Sequence, residues 1–224
     1  MPVFALDDKL VFPDPDRADA SGLLAIGGDL SIERLVLAYS LGIFPWYSEG
    51  DPIMWWSPHP RFILTPRDFN LSKSLRQNIR NTTYEISFDK CFIEVIEHCS
   101  KVPRRGQPGT WITGEMKKAY VNLHEAGFAH SVETYQEGIL VGGLYGVSLG
   151  KAFFGESMFF LKSNASKIAF YHLVNRLKKW EFHIIDAQVE TEHMKRLGAR
   201  AVSRPDFLSR LNEALKFPTK KGKW

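Results

Sequence analysis

The stretch from Leu140 to Val189 constrains the fold of this 224-residue chain more than any other. It reads LVGGLYGVSLGKAFFGESMFF, then a polar loop, a segment with helical apolar spacing, and finally HIIDAQV. Apolar strand runs followed by a strand–helix–strand crossover predict an α/β domain with a mixed sheet. Three polar side chains, Glu156, Asp186 and Gln188, interrupt these runs. Burying a lone carboxylate costs several kcal/mol or shifts its pKa by roughly 3–5 units. Two carboxylates in neighbouring apolar runs therefore mark a candidate site. The competing account makes both of them strand-end residues that face water or backbone amides.

Alternation along a strand puts Asp186 and Gln188 on one face and Ile185, Ala187 and Val189 on the other. Glu156 is read as closing the preceding strand beside Gly155, whose missing side chain would let a ligand approach the backbone. If the two strands are neighbours, the three polar groups converge at one end of the sheet, where ligands of open α/β sheets bind.

The rest of the chain sorts into a small first unit and a larger body. An Asp- and Pro-rich opening arm reaches about Ala20, and GLLAIGGDLS then leads to a helix capped by Asp29 or Ser31 and closed at Gly42. GIFPWYSEGDPIMWWSPHPRFIL is too rich in Pro and Gly for a long helix and reads as irregular. The expected division is a small N-terminal α/β domain over 1–61 and a second domain over 62–224. The second opens with strand RFILT, a helix near 72–80, strand YEISF and a helix through Cys99. A helix over 114–125 leads into antiparallel strands with turns at Gln136-Glu137-Gly138 and Ser148-Leu149-Gly150. Helices at about 164–180, 191–198 and from Pro205 follow, and the basic tail KFPTKKGKW is expected to be mobile.

Charge narrows the partners. Residues 1–60 carry nine Asp/Glu against three Lys/Arg, whereas residues 61–224 carry 26 Lys/Arg against 16 Asp/Glu. A basic body fits a polyanion such as nucleic acid, and binding of that kind weakens with salt. Cys91 and Cys99 form no C-x-x-C pair and read as buried reduced thiols, while the seven histidines show no metal-ligand spacing. No signal-peptide start and no membrane-length apolar run occur, so a cytoplasmic protein without a membrane anchor is expected. Trp46, Trp55 and Trp56 in one loop, and Arg104, Arg105 and Trp111 in another, interleave rings and cations as nucleic-acid binders do. Trp55 and Trp56 read as core or interface residues. Trp46 and Trp111 remain open to either use. The loop FLKSNASK has no glycine to cradle a pyrophosphate, which argues against a coenzyme A or dinucleotide site, and its Ser163 or Asn164 reads as a helix cap.

The motifs GLLAIGGDLS, GIFPWYSEGDPIMWWSPHPR, GTWIT, LVGGLYGV, FFGESMF, NASK and DAQV, in this order from about Gly22 to Leu211, resemble the leucyl/phenylalanyl-tRNA–protein transferases. The resemblance implies an N-acyltransferase-like C-terminal domain. It also implies transfer of Leu or Phe from Leu-tRNA or Phe-tRNA to proteins with N-terminal Arg or Lys, which marks them for degradation in bacteria. Trp46 and Trp111 would stack around the terminal adenine of tRNA. Asp186, Gln188 and Glu156 would form the reaction centre, with Ser157 and Met158 beside it. Leu144 stands where relatives use methionine to line the amino-acid pocket. An apolar pocket drawn from Leu144, Phe153, Met158, Phe170 and Ile185 would select Leu and Phe over polar side chains and tolerate Met.

An ester donor makes the amide product downhill, so no cofactor is needed to supply energy. An α-amino group with a pKa of roughly 7.7–8.0 needs no strong base, and no Cys or Ser stands in a nucleophile-plus-base arrangement, so direct attack without an acyl-enzyme is expected. In that scheme Asp186, acting through Gln188, holds the amine and helps take up its proton, while Glu156 holds the cationic acceptor terminus. A monomer is expected. The competing readings are a coenzyme-A-dependent acetyltransferase, a peptidoglycan-bridge aminoacyltransferase and a non-catalytic RNA-binding module.

Overall fold

In a computed structural model, which describes residues 3–102 and 110–224, the chain forms two sheets among the described residues. Arg104 and Arg105 lie outside them. The first sheet takes β1 (Phe4–Leu6), β2 (Leu23–Gly27), β3 (Phe44–Pro45) and β4 (Met54–Trp56) in the order β1-β2-β4-β3. Part of the opening arm thus becomes an edge strand parallel to β2. Helix α1 (Ile32–Ser40) uses both cap candidates. Ser31 Oγ accepts the Arg34 N–H, and Asp29 accepts the Ser31 N–H while pairing with the Arg34 guanidinium. β3 and β4 fall in the segment read as irregular, since strands of two and three residues are too short to show alternation.

The second sheet takes β5 (Arg61–Leu64), β6 (Glu85–Phe88), β7 (Ala129–Gln136), β8 (Ile139–Leu149), β9 (Ala152–Phe160), β10 (Ile184–Gln188) and β11 (Arg200–Val202). Its order is β11-β5-β10-β9-β8-β7-β6. Helices α2 (Lys73–Asn81), α3 (Phe92–Ser100), α4 (Gly114–Glu125), α5 (Ala165–Lys179), α6 (Glu192–Arg196) and α7 (Arg204–Leu215) complete the body. β9 and β10, joined through α5, run parallel, and every other neighbouring pair is antiparallel. The expected mixed α/β sheet is present. No helix among the described residues is long and apolar enough to cross a membrane.

Alternation along β8 builds a core on each face. Leu144 joins Leu173 and Val174 of α5, while Tyr145 and Val147 join Val95 of α3 and Met116 of α4. Gly142 allows this packing, because a Cβ there would lie 2.5 Å from that of Ala165 at the start of α5. The second core also holds Leu24, Leu35 and Trp55 of the first sheet's unit, so the two sheets share apolar contacts. The β7–β8 turn is where it was predicted, with Glu137 and Gly138 both at positive φ. The β8–β9 turn lies later than read, at Gly150–Lys151, and Ser148 and Leu149 remain in the strand. Asn164 takes the cap position of α5 in a left-handed conformation and makes no side-chain capping bond. Both cysteines are free, and only Cys99 is fully buried.

The tail is docked, contrary to the expected mobility. The Trp224 backbone N–H donates to Asp89 Oδ2 at 2.8 Å, and its ring stacks on His130 at 3.9 Å. Edge contacts to Trp180 and Phe182 and a tilted contact to Phe153 complete its seat. Charge content predicts solvation but is blind to one aromatic ring that finds a slot. Trp224→Ala is expected to lower stability by about 1–2 kcal/mol, the value of a partly buried aromatic side chain, read from the urea midpoint. An unchanged midpoint would show the docking to be energetically idle.

Candidate active site

The three polar residues meet because two strands are irregular at adjoining places. In the β8–β9 ladder Tyr145 pairs with Ser157 and Gly146 with Gly155, which leaves Glu156 as the extra residue of a bulge. In the β10–β5 ladder Asp186 pairs with Ile63 and Gln188 with Phe62, which leaves Ala187 unpaired, and Gln188 takes a φ of 64°. Bulges re-aim side chains and recur next to active sites. Glu156 therefore lies within β9, not at its end, and simple alternation does not describe β10 beyond Asp186.

Asp186 is fully buried and holds Arg61 in a two-pronged ion pair. Arg61 Nη2 lies 2.7 Å from Oδ2, and its Nε lies 3.0 Å from Oδ1. The guanidinium sits between the rings of Phe44 and Phe207, at 4.8 and 4.6 Å. Asp186 Oδ1 also accepts the Gln188 N–H at 2.8 Å, which satisfies the backbone at its left-handed kink. Gln188 Nε2 in turn donates to Glu156 Oε1 at 3.0 Å.

Two tyrosines complete the network. Tyr39 of α1 donates to Glu156 Oε1 at 2.7 Å, and Tyr120 of α4 donates to Oε2 at 3.0 Å. The two hydroxyl oxygens lie 2.5 Å apart. Burial pushes the Glu156 carboxyl up to about 7, aided by the charge of Asp186, while the hydrogen bonds from Tyr39, Tyr120 and Gln188 hold it down. Glu156 is thus poised to gain or lose a proton near neutral pH.

Glu156, Asp186 and Gln188 face a cavity of about 580 Å³. Asp186, Gln188, Glu156, Trp46, Trp111, Leu144, Phe153, Gly155, Ser157, Met158, Phe170 and Ile185 all line it. The two indoles differ, since Trp46 is 36% exposed at the rim and Trp111 only 7%. Trp55 is core, and Trp56 donates its Nε1 hydrogen to the Trp46 carbonyl at 2.6 Å. A Cβ on Gly155 would meet only the Asp186 carbonyl, at an ordinary 3.6 Å, so packing alone does not demand glycine there. Sequence reasoning missed Arg61, Tyr39 and Tyr120, along with Leu173, Met194 and His193 of the lining. An arginine opening the strand RFIL was the one visible signal, because a charge so placed needs a partner. No three His, Cys, Asp or Glu among the described residues could hold a metal ion together.

The site is thus a mostly apolar chamber in an α/β protein, with a partly buried carboxylate–amide corner at Glu156 and Gln188. The profile of the leucyl/phenylalanyl-tRNA protein transferases matches residues 63–212, and that of their N-terminal domain matches 28–59. A leucyl/phenylalanyl-tRNA–protein transferase of Myxococcus xanthus is 58% identical, covering all of this chain and 97% of the relative. One from Desulfatibacillum aliphaticivorans is 55% identical, covering all of this chain and 96% of the relative. The chain belongs to the leucyl/phenylalanyl-tRNA–protein transferase family. It is an aminoacyltransferase, moving aminoacyl groups from tRNA to proteins.

Proposed function

We propose that this chain acts in the cytoplasm as a monomer and transfers Leu or Phe, with Met tolerated, to the α-amino group of N-terminal Arg or Lys, marking those proteins for degradation. Residues 1–61 would form a small N-terminal domain and 62–224 an N-acyltransferase-like catalytic one. The observation that carries the reading is the Glu156–Gln188 pair in the corner of an apolar chamber flanked by Trp46 and Trp111.

In this reading the indoles flank the terminal adenine, and Leu144, Phe153, Met158, Phe170 and Ile185 receive the amino-acid side chain. Gly155 and Ser157 border the ester. The neutral amine attacks the ester carbonyl, the C–O bond to the ribose breaks, and the proton lost by nitrogen ends on the released hydroxyl. Holding amine and ester together contributes about 7–11 kcal/mol. Glu156 holds the cationic acceptor terminus, and Gln188 holds the attacking amine. Asp186 acts through Gln188, because both of its oxygens are engaged by Arg61 and a proton taken there would break a buried ion pair. A peptidoglycan-bridge transferase is disfavoured by the family match.

Purified protein mixed with Phe-tRNA and an Arg-initiated peptide is expected to add one phenylalanine to the peptide by mass, at a rate that falls as salt is raised. Peptide unchanged in mass would end this reading. A rate indifferent to salt would remove the basic body from tRNA binding.

A further inference from the structure

A second cavity, of about 500 Å³, adjoins the first and shares Met158 and His193 with it. It lies among the end of α3, the end of β9, the start of α5 and α6. Its volume falls within the ~300–1,000 Å³ typical of ligand sites.

The lining has one sign of charge. Lys101 and Lys167 contribute to it, and among the described residues no Asp or Glu does. Glu97 stands nearby, but its carboxylate is engaged by Lys117 at 2.8 Å and reaches Lys101 only at 3.9 Å. The lining also offers ring surface. His98 is half-buried and backed at 4.6 Å by the buried ring of Phe159, and Phe160 and Leu161 are 65% and 59% exposed. Between the cavities His193 keeps its Nε2 buried with no hydrogen-bond partner. Two cations repel an Arg or Lys terminus and attract a phosphodiester, and ring surface beside them suits a nucleobase.

We propose that this second cavity receives the nucleotide preceding the aminoacylated terminal nucleotide of tRNA, its base against the His98 ring and its phosphate near Lys101 and Lys167. The proposal rests on the reading that the first cavity holds the aminoacyl-adenosine end. A nucleic-acid chain leaving the first cavity past Met158 and His193 enters the second.

The test uses three donors with one Arg-initiated peptide: phenylalanyl-adenosine, the phenylalanyl ester of cytidylyl-adenosine, and Phe-tRNA. In the wild type the added nucleotide is expected to raise kcat/KM by about tenfold over the adenosine ester. The Lys101→Ala/Lys167→Ala double variant, and separately His98→Ala, should lose most of that gain. They should retain wild-type kcat/KM on phenylalanyl-adenosine and an unchanged KM for the peptide, which also shows that they fold. No gain in the wild type, or an equal gain in the variants, overturns the proposal. A raised peptide KM in the variants would assign the cavity to the acceptor and overturn it equally. Failure of the wild type with all three donors would sink the functional reading itself.

Discussion

Asp186→Ala is expected to destabilise the fold by about 3–5 kcal/mol and to lower activity by about 100-fold or more. The stability loss arises less from the missing contact than from what remains. Arg61, 1% exposed, would keep its charge between two phenylalanine rings with no counter-ion. The activity loss has a separate origin, because Asp186 also accepts the N–H of Gln188 at its left-handed kink. The two effects separate in an Arg61→Leu/Asp186→Leu double variant. Replacing both members of a buried ion pair by apolar residues is often neutral. The urea midpoint should therefore return most of the way to wild type while peptide aminoacylation stays low. Near-wild-type activity in that double variant would reduce Asp186 to a packing residue and overturn its role through Gln188.

The same residues show where sequence reading succeeds and where it stops. Leu140–Phe160 and HIIDAQV were legible as sheet because apolar runs with period two answer to a local rule, and the helix between them answers to another. The neighbourhood of Glu156, Asp186 and Gln188 followed from the crossover. Their directions did not follow, since each bulge adds one residue to a ladder and reverses the parity on which alternation depends. Arg61 and Tyr39 lie 125 and 117 residues from their carboxylate partners. Nothing within reach of a local pattern marks such pairs. Tyr39 sits on the buried face of α1, where a tyrosine passes for one more apolar ring until its hydroxyl partner is known.

The second large effect concerns proton binding at Glu156. Its carboxyl is pushed up to about 7 in the folded protein from an ordinary 4.5. Between those values the folded state binds more protons than the unfolded chain, so stability falls as pH rises through that window and levels off above it. The contribution is present in full below pH 4.5, and about 3 kcal/mol of it is gone by pH 8. Glu156→Gln has no such proton, so its stability relative to wild type should climb by about 3 kcal/mol from pH 4.5 to pH 8, read from paired urea titrations. Histidines common to both proteins cancel in that difference. A difference that stays flat with pH would mean that Glu156 is not held protonated by burial. Activity should run the opposite way. The ionised carboxylate is the form that holds a cationic acceptor, so wild-type kcat/KM should rise with an apparent pKa of about 7. Glu156→Gln should lose about 100-fold in rate and that limb of the profile, keeping only the rise that belongs to the amine near ~8. Burial of one carboxylate among Tyr39, Tyr120 and Gln188 thus weakens the fold over the pH range in which it readies the site to meet a charged peptide end.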